Sequence, residues 1–279
     1  MTEDWEGGVT GRTLFDQAPR KLLTKRILEI VSRAGRGHIG PALSILDIVD
    51  VLYGNVMNNP QELDDVNRDR FILSKGHGCL ALYAVLEKYG LIGKEDLESF
   101  CSFDSAFGGH PENFRLPHIE FSTGALGHGP SLGTGLAIGS KLLKRSSRVY
   151  VLLGDGELNE GSIWEAAMHA HKHKVNNLCF IVDKNRMQAS GRVEEVLDME
   201  PIREKWESFG FLVREVDGHN REELAAELDF KISESELARV ILANTIKGKG
   251  LKEAENSPIW HHKAKISLTD IEHLQAGLY

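Results

Sequence analysis

The sequence predicts an α/β fold: a mostly parallel, twisted sheet with helices on both faces. Three observations carry that expectation. Short apolar strand segments recur, most of them running into or out of glycine turns, and segments with a helical apolar stripe lie between them. The segment at residues 149–153 is apolar throughout, as a strand covered on both faces should be.

The elements follow in order. After a polar leader over residues 1–16, residues 17–34 read as an amphipathic helix with Leu22, Leu23, Ile27, Ile30 and Val31 on one stripe. The break Gly35-Arg36-Gly37-His38-Ile39-Gly40-Pro41 precedes a second helix, with Ser44 as its expected N-cap and Asp47 in its first turn. Residues 70–73 form a short strand that ends in Ser74-Lys75-Gly76-His77-Gly78 and gives way to a helix through residue 89. Residues 96–107 fit helix and then loop, and residues 108–112 are loop. Residues 124–139 combine a Gly-rich turn with a helix whose first turn tolerates Pro130. Strands are expected at 149–153, 178–182, 211–216 and 240–245, with a helix at 162–174. The basic turn Ile246-Lys247-Gly248-Lys249-Gly250 follows the last strand and reads as solvated, with a role of Lys247 and Lys249 near phosphate as the alternative. No repeat or linker divides the chain. Residues 1–279 are therefore expected to form a single domain, its ligand crevice at the carboxyl ends of the strands.

Composition narrows the function classes. With 33 basic and 41 acidic residues the net charge is -8, which argues against a nucleic-acid or anionic-membrane surface. Cys79, Cys101 and Cys179 have neither metal nor redox spacing and read as buried thiols in a reducing compartment. Residues 1–12 lack the pattern of a signal peptide, and no apolar run approaches the roughly 20 residues of a membrane span. A soluble, cytoplasmic protein is the expectation. His169, His171 and His173 invite a metal reading, but they lie off the apolar stripe of Ile163, Ala166, Ala167 and Ala170 and fit a solvated or interface face better.

The chemistry concentrates in Gly154-Asp155-Gly156-Glu157, followed by Val182-Asp183-Lys184-Asn185. One strand ends at a carboxylate flanked by glycines, and the next ends at an amide thirty positions after it. A strand–helix–strand unit of this length sets parallel strands side by side, so Asp155 and Asn185 should project into one crevice. Magnesium takes hard oxygen ligands, few of them from protein and the rest from phosphates and water. One carboxylate, one amide oxygen and a main-chain carbonyl just beyond Asn185 suit an ion that bridges a diphosphate, and Gly154 and Gly156 let backbone approach phosphate.

This spacing resembles the thiamine-diphosphate motif. Gly37-His38, Ser74-Lys75-Gly76-His77-Gly78, Gly109-His110-Pro111-Glu112 and Thr123-Gly124-Ala125-Leu126-Gly127 resemble transketolase segments in the same order, over roughly residues 17–265. The resemblance implies thiamine diphosphate and Mg2+ as cofactors in a thiamine-diphosphate-binding fold. It implies that Asp155, Asn185 and the main chain of Met187 ligate magnesium. Gly154, Gly156, Asn185 and His77 would lie on the diphosphate side, and Gly124, Ala125 and Leu126 along the cofactor ring. Glu160 falls where the family couples the two active sites of a dimer. His38, His110 and His261 fall at substrate-facing positions, with His262 as the alternative to His261. Imidazole suits such positions because it donates and accepts near neutral pH. Ala125 and His128 depart from the family's usual Pro and Gln.

The family's full chain continues with the domain that binds the aminopyrimidine ring and grips substrate phosphate. The resemblance therefore implies that the partner is a C-terminal transketolase subunit, with a dimer of such pairs and with sugar or sugar-phosphate substrates. The activity implied is transfer of a two-carbon ketol group from a ketose to an aldose. A rival reading is a nicotinamide-dependent oxidoreductase, with Gly127-His128-Gly129-Pro130-Ser131-Leu132-Gly133 opening a helix after a strand at 119–122. Its third glycine falls one position late. A non-catalytic regulatory subunit, an α-chain of a 2-oxoacid dehydrogenase and half of a deoxyxylulose-phosphate synthase complete the alternatives.

Overall fold

The computed structural model describes residues 18–279, so the polar leader lies outside the described residues. Helix α1 (Ala18–Ala34) buries Leu23, Ile27, Ile30 and Val31, as its stripe predicts. It stops where Gly35 takes a φ of +66° and donates its N–H to Val31 O (2.8 Å), a left-handed cap that glycine adopts with least strain.

Helix α2 (Ile39–Val51) starts earlier than expected. His38 stands at its N-terminal boundary, so Ser44 and Asp47 are interior residues and not cap and first turn. Pro41 occupies the first turn, where a missing N–H is tolerated. All thirteen residues are buried, and tertiary contact takes the place of a polar cap in fixing the start. Asp47 is paired with Arg20 and His219, and Asp50 with Lys88 and Arg221, which offsets the cost of burying both side chains. The helix runs on into a π turn, Leu52–Val56. Together these residues make the one described helical stretch long and apolar enough to cross a membrane, and most of it is buried inside the fold.

Strands β1 (Arg70–Leu73), β2 (Val149–Gly154), β3 (Leu178–Lys184), β4 (Leu212–Asp217) and β5 (Arg239–Asn244) form a parallel sheet in the order β1-β2-β3-β5-β4. Helices α3 (Cys79–Lys88), α4 (Lys94–Leu97), α5 (His128–Leu142), α6 (Gly161–Lys172), α7 (Val193–Val196), α8 (Ile202–Ser208), α9 (Arg221–Leu228) and α10 (Leu268–Ala276) complete the described elements. Alternation along the strands separates two cores. Tyr150, Leu152, Cys179, Ile181 and Ile241 pack with α1, α2 and α3, whereas Val149, Val151, Phe180, Val182 and Val240 pack with α6 and α8.

Residues 119–122 are irregular and not a strand. Thr123 donates its hydroxyl to Leu73 O (2.7 Å) and holds this segment as a loop across the end of β1. The strand–turn–helix unit that a dinucleotide fingerprint needs is therefore missing before α5. Register pairs Gly154 with Asp183 and Lys184 with Asn244, so the turns after β2, β3 and β5 emerge at one level of the sheet. That level carries the site.

Candidate functional site

Asp155 directly follows β2 and Asn185 directly follows β3, and both are buried. Asp155 Oδ1 accepts from Gly156 N (2.8 Å), and its Oδ2 accepts from Arg186 N. Asn185 Oδ1 accepts from Met187 N (3.0 Å). A carboxylate, an amide oxygen and the Met187 carbonyl thus lie in the turns after two adjacent strands. Burial, and then the neighbouring Asp183, push the Asp155 carboxyl up to about 7. A bound cation would reverse that shift, and this set of hard oxygens fits magnesium. Among the described residues no three His, Cys, Asp or Glu side chains gather as a metal cluster, and a site with a single carboxylate is of another kind. His169 and His173 lie with ring centroids 4.4 Å apart on an exposed face.

Two buried acids hold this floor, and sequence reasoning gave neither a role. Asp183 Oδ2 accepts from Ser44 Oγ (2.7 Å), from Asn185 Nδ2 (2.7 Å) and from Lys75, while its Oδ1 accepts from Thr245. Burial alone would raise its pKa, but Lys75 and the other donors bring it below the usual carboxylate range. Because a carboxylate only accepts, this contact turns Asn185 so that its amide oxygen faces the Met187 turn. Glu157 Oε1 accepts from Ser74 Oγ and from Gly127 N (2.9 Å), and Oε2 from Gly154 N (3.1 Å). Its carboxylate ties together the turns after β1, before α5 and after β2. The available signal was an acid placed immediately after a glycine turn.

Above the floor stand five imidazoles. His77 and His261 stack with centroids 5.3 Å apart, and His38 lies 5.9 Å from His77 and 6.2 Å from His261. His110 lies 5.7 Å and His262 4.5 Å from His38. His77, His38 and His261 are half-buried, while His110 and His262 are exposed. Burial, reinforced by nearby positive groups, lowers the pKa of His38 to about 4 and of His261 to about 3, and holds His77 and His110 below the usual value. At neutral pH these four are uncharged donor–acceptors.

Lys247 contradicts its expected solvated turn. It is buried, and its Nζ donates to Met187 O (3.0 Å) and Gln188 O (3.3 Å) and contacts His261 Nδ1 (2.6 Å). The turn folds inward because Gly248, at φ +80°, packs so closely on Ala254 that a Cβ would come within 2.2 Å of its carbonyl oxygen. Burial, then Lys75, lower the Lys247 pKa to about 8, which leaves an ammonium at neutral pH. An ammonium only donates, so His261 Nδ1 accepts and its Nε2 carries the hydrogen.

Residues 124–126 adjoin this cluster. Gly124, at φ +144°, leaves room for His110, whose ring a Cβ there would meet at 3.1 Å. Leu126 is half-buried and Ala125 exposed. At Gly156 a Cβ would meet the Gln188 side chain at 2.6 Å, whereas at Gly154 the nearest group is Lys75 at an ordinary 3.9 Å. Glu160 is exposed at the start of α6, against Gly127.

Comparison with known proteins agrees with the geometry. Residues 19–278 match the family model described as transketolase, thiamine diphosphate binding domain. The chain is 42% identical over 239 residues to one of the subunits of the apulose-4-phosphate transketolase of Phocaeicola vulgatus, covering 85% of each chain. It is 35% identical over 247 residues to the 6-deoxy-6-sulfo-D-fructose transketolase subunit SqwG of a Clostridium species, covering 88% of this chain and 90% of that one. Among solved structures, a transketolase from Pichia stipitis in complex with sedoheptulose 7-phosphate superposes with a TM-score of 0.85 at 30% identity, over 95% of this chain. The chain spans only 40% of that protein's length. The nicotinamide reading is thereby overturned. A buried oxygen floor after β2 and β3, the histidines above it and these likenesses converge: the chain belongs to the transketolase family, as its N-terminal, thiamine-diphosphate-binding half.

Proposed function

We propose that this chain is the cofactor-holding subunit of a two-chain enzyme that moves a two-carbon ketol group from a ketose to an aldose, with sugars or sugar phosphates as substrates. The observation that carries this reading is the juxtaposition of Asp155, Asn185 and the Met187 carbonyl beneath the imidazoles. In this reading residues 18–279 act as one domain, and the three oxygens hold Mg2+. His77, Gly154, Gly156 and Asn185 face the diphosphate, and Gly124, Ala125 and Leu126 line the ring. Thiamine diphosphate, when bound, supplies the electron sink for carbon–carbon cleavage. The chain's own residues bind and orient. Asp183 sets the Asn185 amide, Lys247 fixes His261 with Nε2 as donor, and neutral His38, His110 and His261 exchange protons with substrate hydroxyls and carbonyl. Glu160, exposed beside Gly127, faces outward to a second copy in a dimer of pairs.

Need for a partner is supported by the relatives named as transketolase subunits, whose lengths this chain nearly matches. Those relatives are named for different sugars, so the fold alone does not set the sugar pair. A cytoplasmic setting fits such a substrate class. Titration of thiamine diphosphate against the protein with and without Mg2+ tests the site. Asp155→Ala is expected to abolish the magnesium-dependent part of binding. Unchanged affinity would remove Asp155 from the metal site.

A further inference from the structure

The segment carrying His261 is tied to the loop before α2 by main-chain pairing. Gly37 and Lys263 exchange two hydrogen bonds of 3.2 Å, and Ile266 N donates to Gly35 O (2.7 Å). His38 and His262 each adjoin that bridge, so the backbone itself sets their imidazoles side by side, 4.5 Å apart and inclined at 36°. Two adjacent histidines therefore face different neighbours. His261 bonds Lys247 and stacks on His77, over the floor. His262 lies against His38 at the exposed rim, close enough to influence His110 electrostatically.

We propose that His262 is a specificity-determining residue of the transfer site, hydrogen-bonding a hydroxyl of the acceptor sugar remote from its reacting carbonyl. This deepens the transketolase reading above and rests on it. The reacting carbonyl must reach the cofactor near the floor, so an extended aldose longer than two carbons brings its far hydroxyls to the rim. One imidazole nitrogen donates and the other accepts, which matches a hydroxyl in both directions. His38, kept neutral by burial and by its neighbours, presents His262 with a hydrogen-bonding ring in place of a charge.

The test uses the chain purified together with its partner subunit, loaded with thiamine diphosphate and Mg2+. Donors are xylulose 5-phosphate, fructose 6-phosphate and sedoheptulose 7-phosphate, with glycolaldehyde or erythrose as acceptor. In His262→Gly, kcat/KM for erythrose is expected to fall about tenfold, mainly through KM, the scale of one lost hydrogen bond. The two-carbon glycolaldehyde should change by less than about twofold, cofactor affinity should hold, and His262→Asn should restore part of the loss. Equal losses on both acceptors, or none on erythrose, would overturn the assignment. A wild-type complex that binds cofactor but transfers from no donor sinks the underlying reading as well. A transferring wild type with an indifferent variant removes His262 alone.

Discussion

Lys247 and His261 illustrate how a single side chain's surroundings decide its chemistry. In the sequence Lys247 stands in a Gly-Lys turn indistinguishable from a solvated one, and only the inward fold of Gly248 buries it. His38 and His110 were legible as loop histidines because glycines mark their loops, whereas His261, with no glycine between Gly250 and Gly277, was legible only from its resemblance. Their mutual contacts were not, because they come from segments far apart in the chain, between 72 residues (His38 to His110) and 223 residues (His38 to His261). The lowered pKa values have a consequence for stability. An unfolded chain's imidazoles take up protons near pH 6.5, whereas folded His38 does so only near 4. Between those values the unfolded state binds more protons, so this stability is complete above about pH 6.5 and is lost as pH falls toward about 4. Melting temperature should therefore drop between about pH 7.5 and about pH 5. His38→Asn, which has no proton to take up, should make the drop smaller. An unchanged slope would contradict the neutral assignment.

At the scale of elements, strand ends were easier to read than helix starts. β2 and β3 announced themselves because each is an apolar run closed by a polar ligand candidate. The start of α2 was misplaced because Ser44 looks like a cap, while the real boundary is set by burial of the whole helix and by Pro41. Ser44 instead serves Asp183 across the core. Glu157 joins three turns, and its role was hidden because its partners, Ser74, Gly127 and Gly154, come from separate segments. Removing it strands three buried donors. Glu157→Ala should lower unfolding free energy by roughly 2–4 kcal/mol in urea titration, with Glu157→Gln costing less because one acceptor oxygen remains. A loss under about 0.5 kcal/mol for the alanine variant would mean the turns are held otherwise.

For the molecule as a whole, the alternation of strand and helix gave away the parallel sheet, and the position of glycines gave away which end carries the site. Strand order was not legible, since β5 inserts between β3 and β4 only in three dimensions. What covers the exposed rim of His110 and His262 is the question that bears most on function, and in this account it is a second chain. Reconstitution tests that most directly. Ketol transfer from a ketose phosphate should be absent with the purified chain alone. It should appear, dependent on thiamine diphosphate and Mg2+, when the co-purifying partner is added back. Robust transfer by the chain alone, or none by the reassembled pair, would contradict the account.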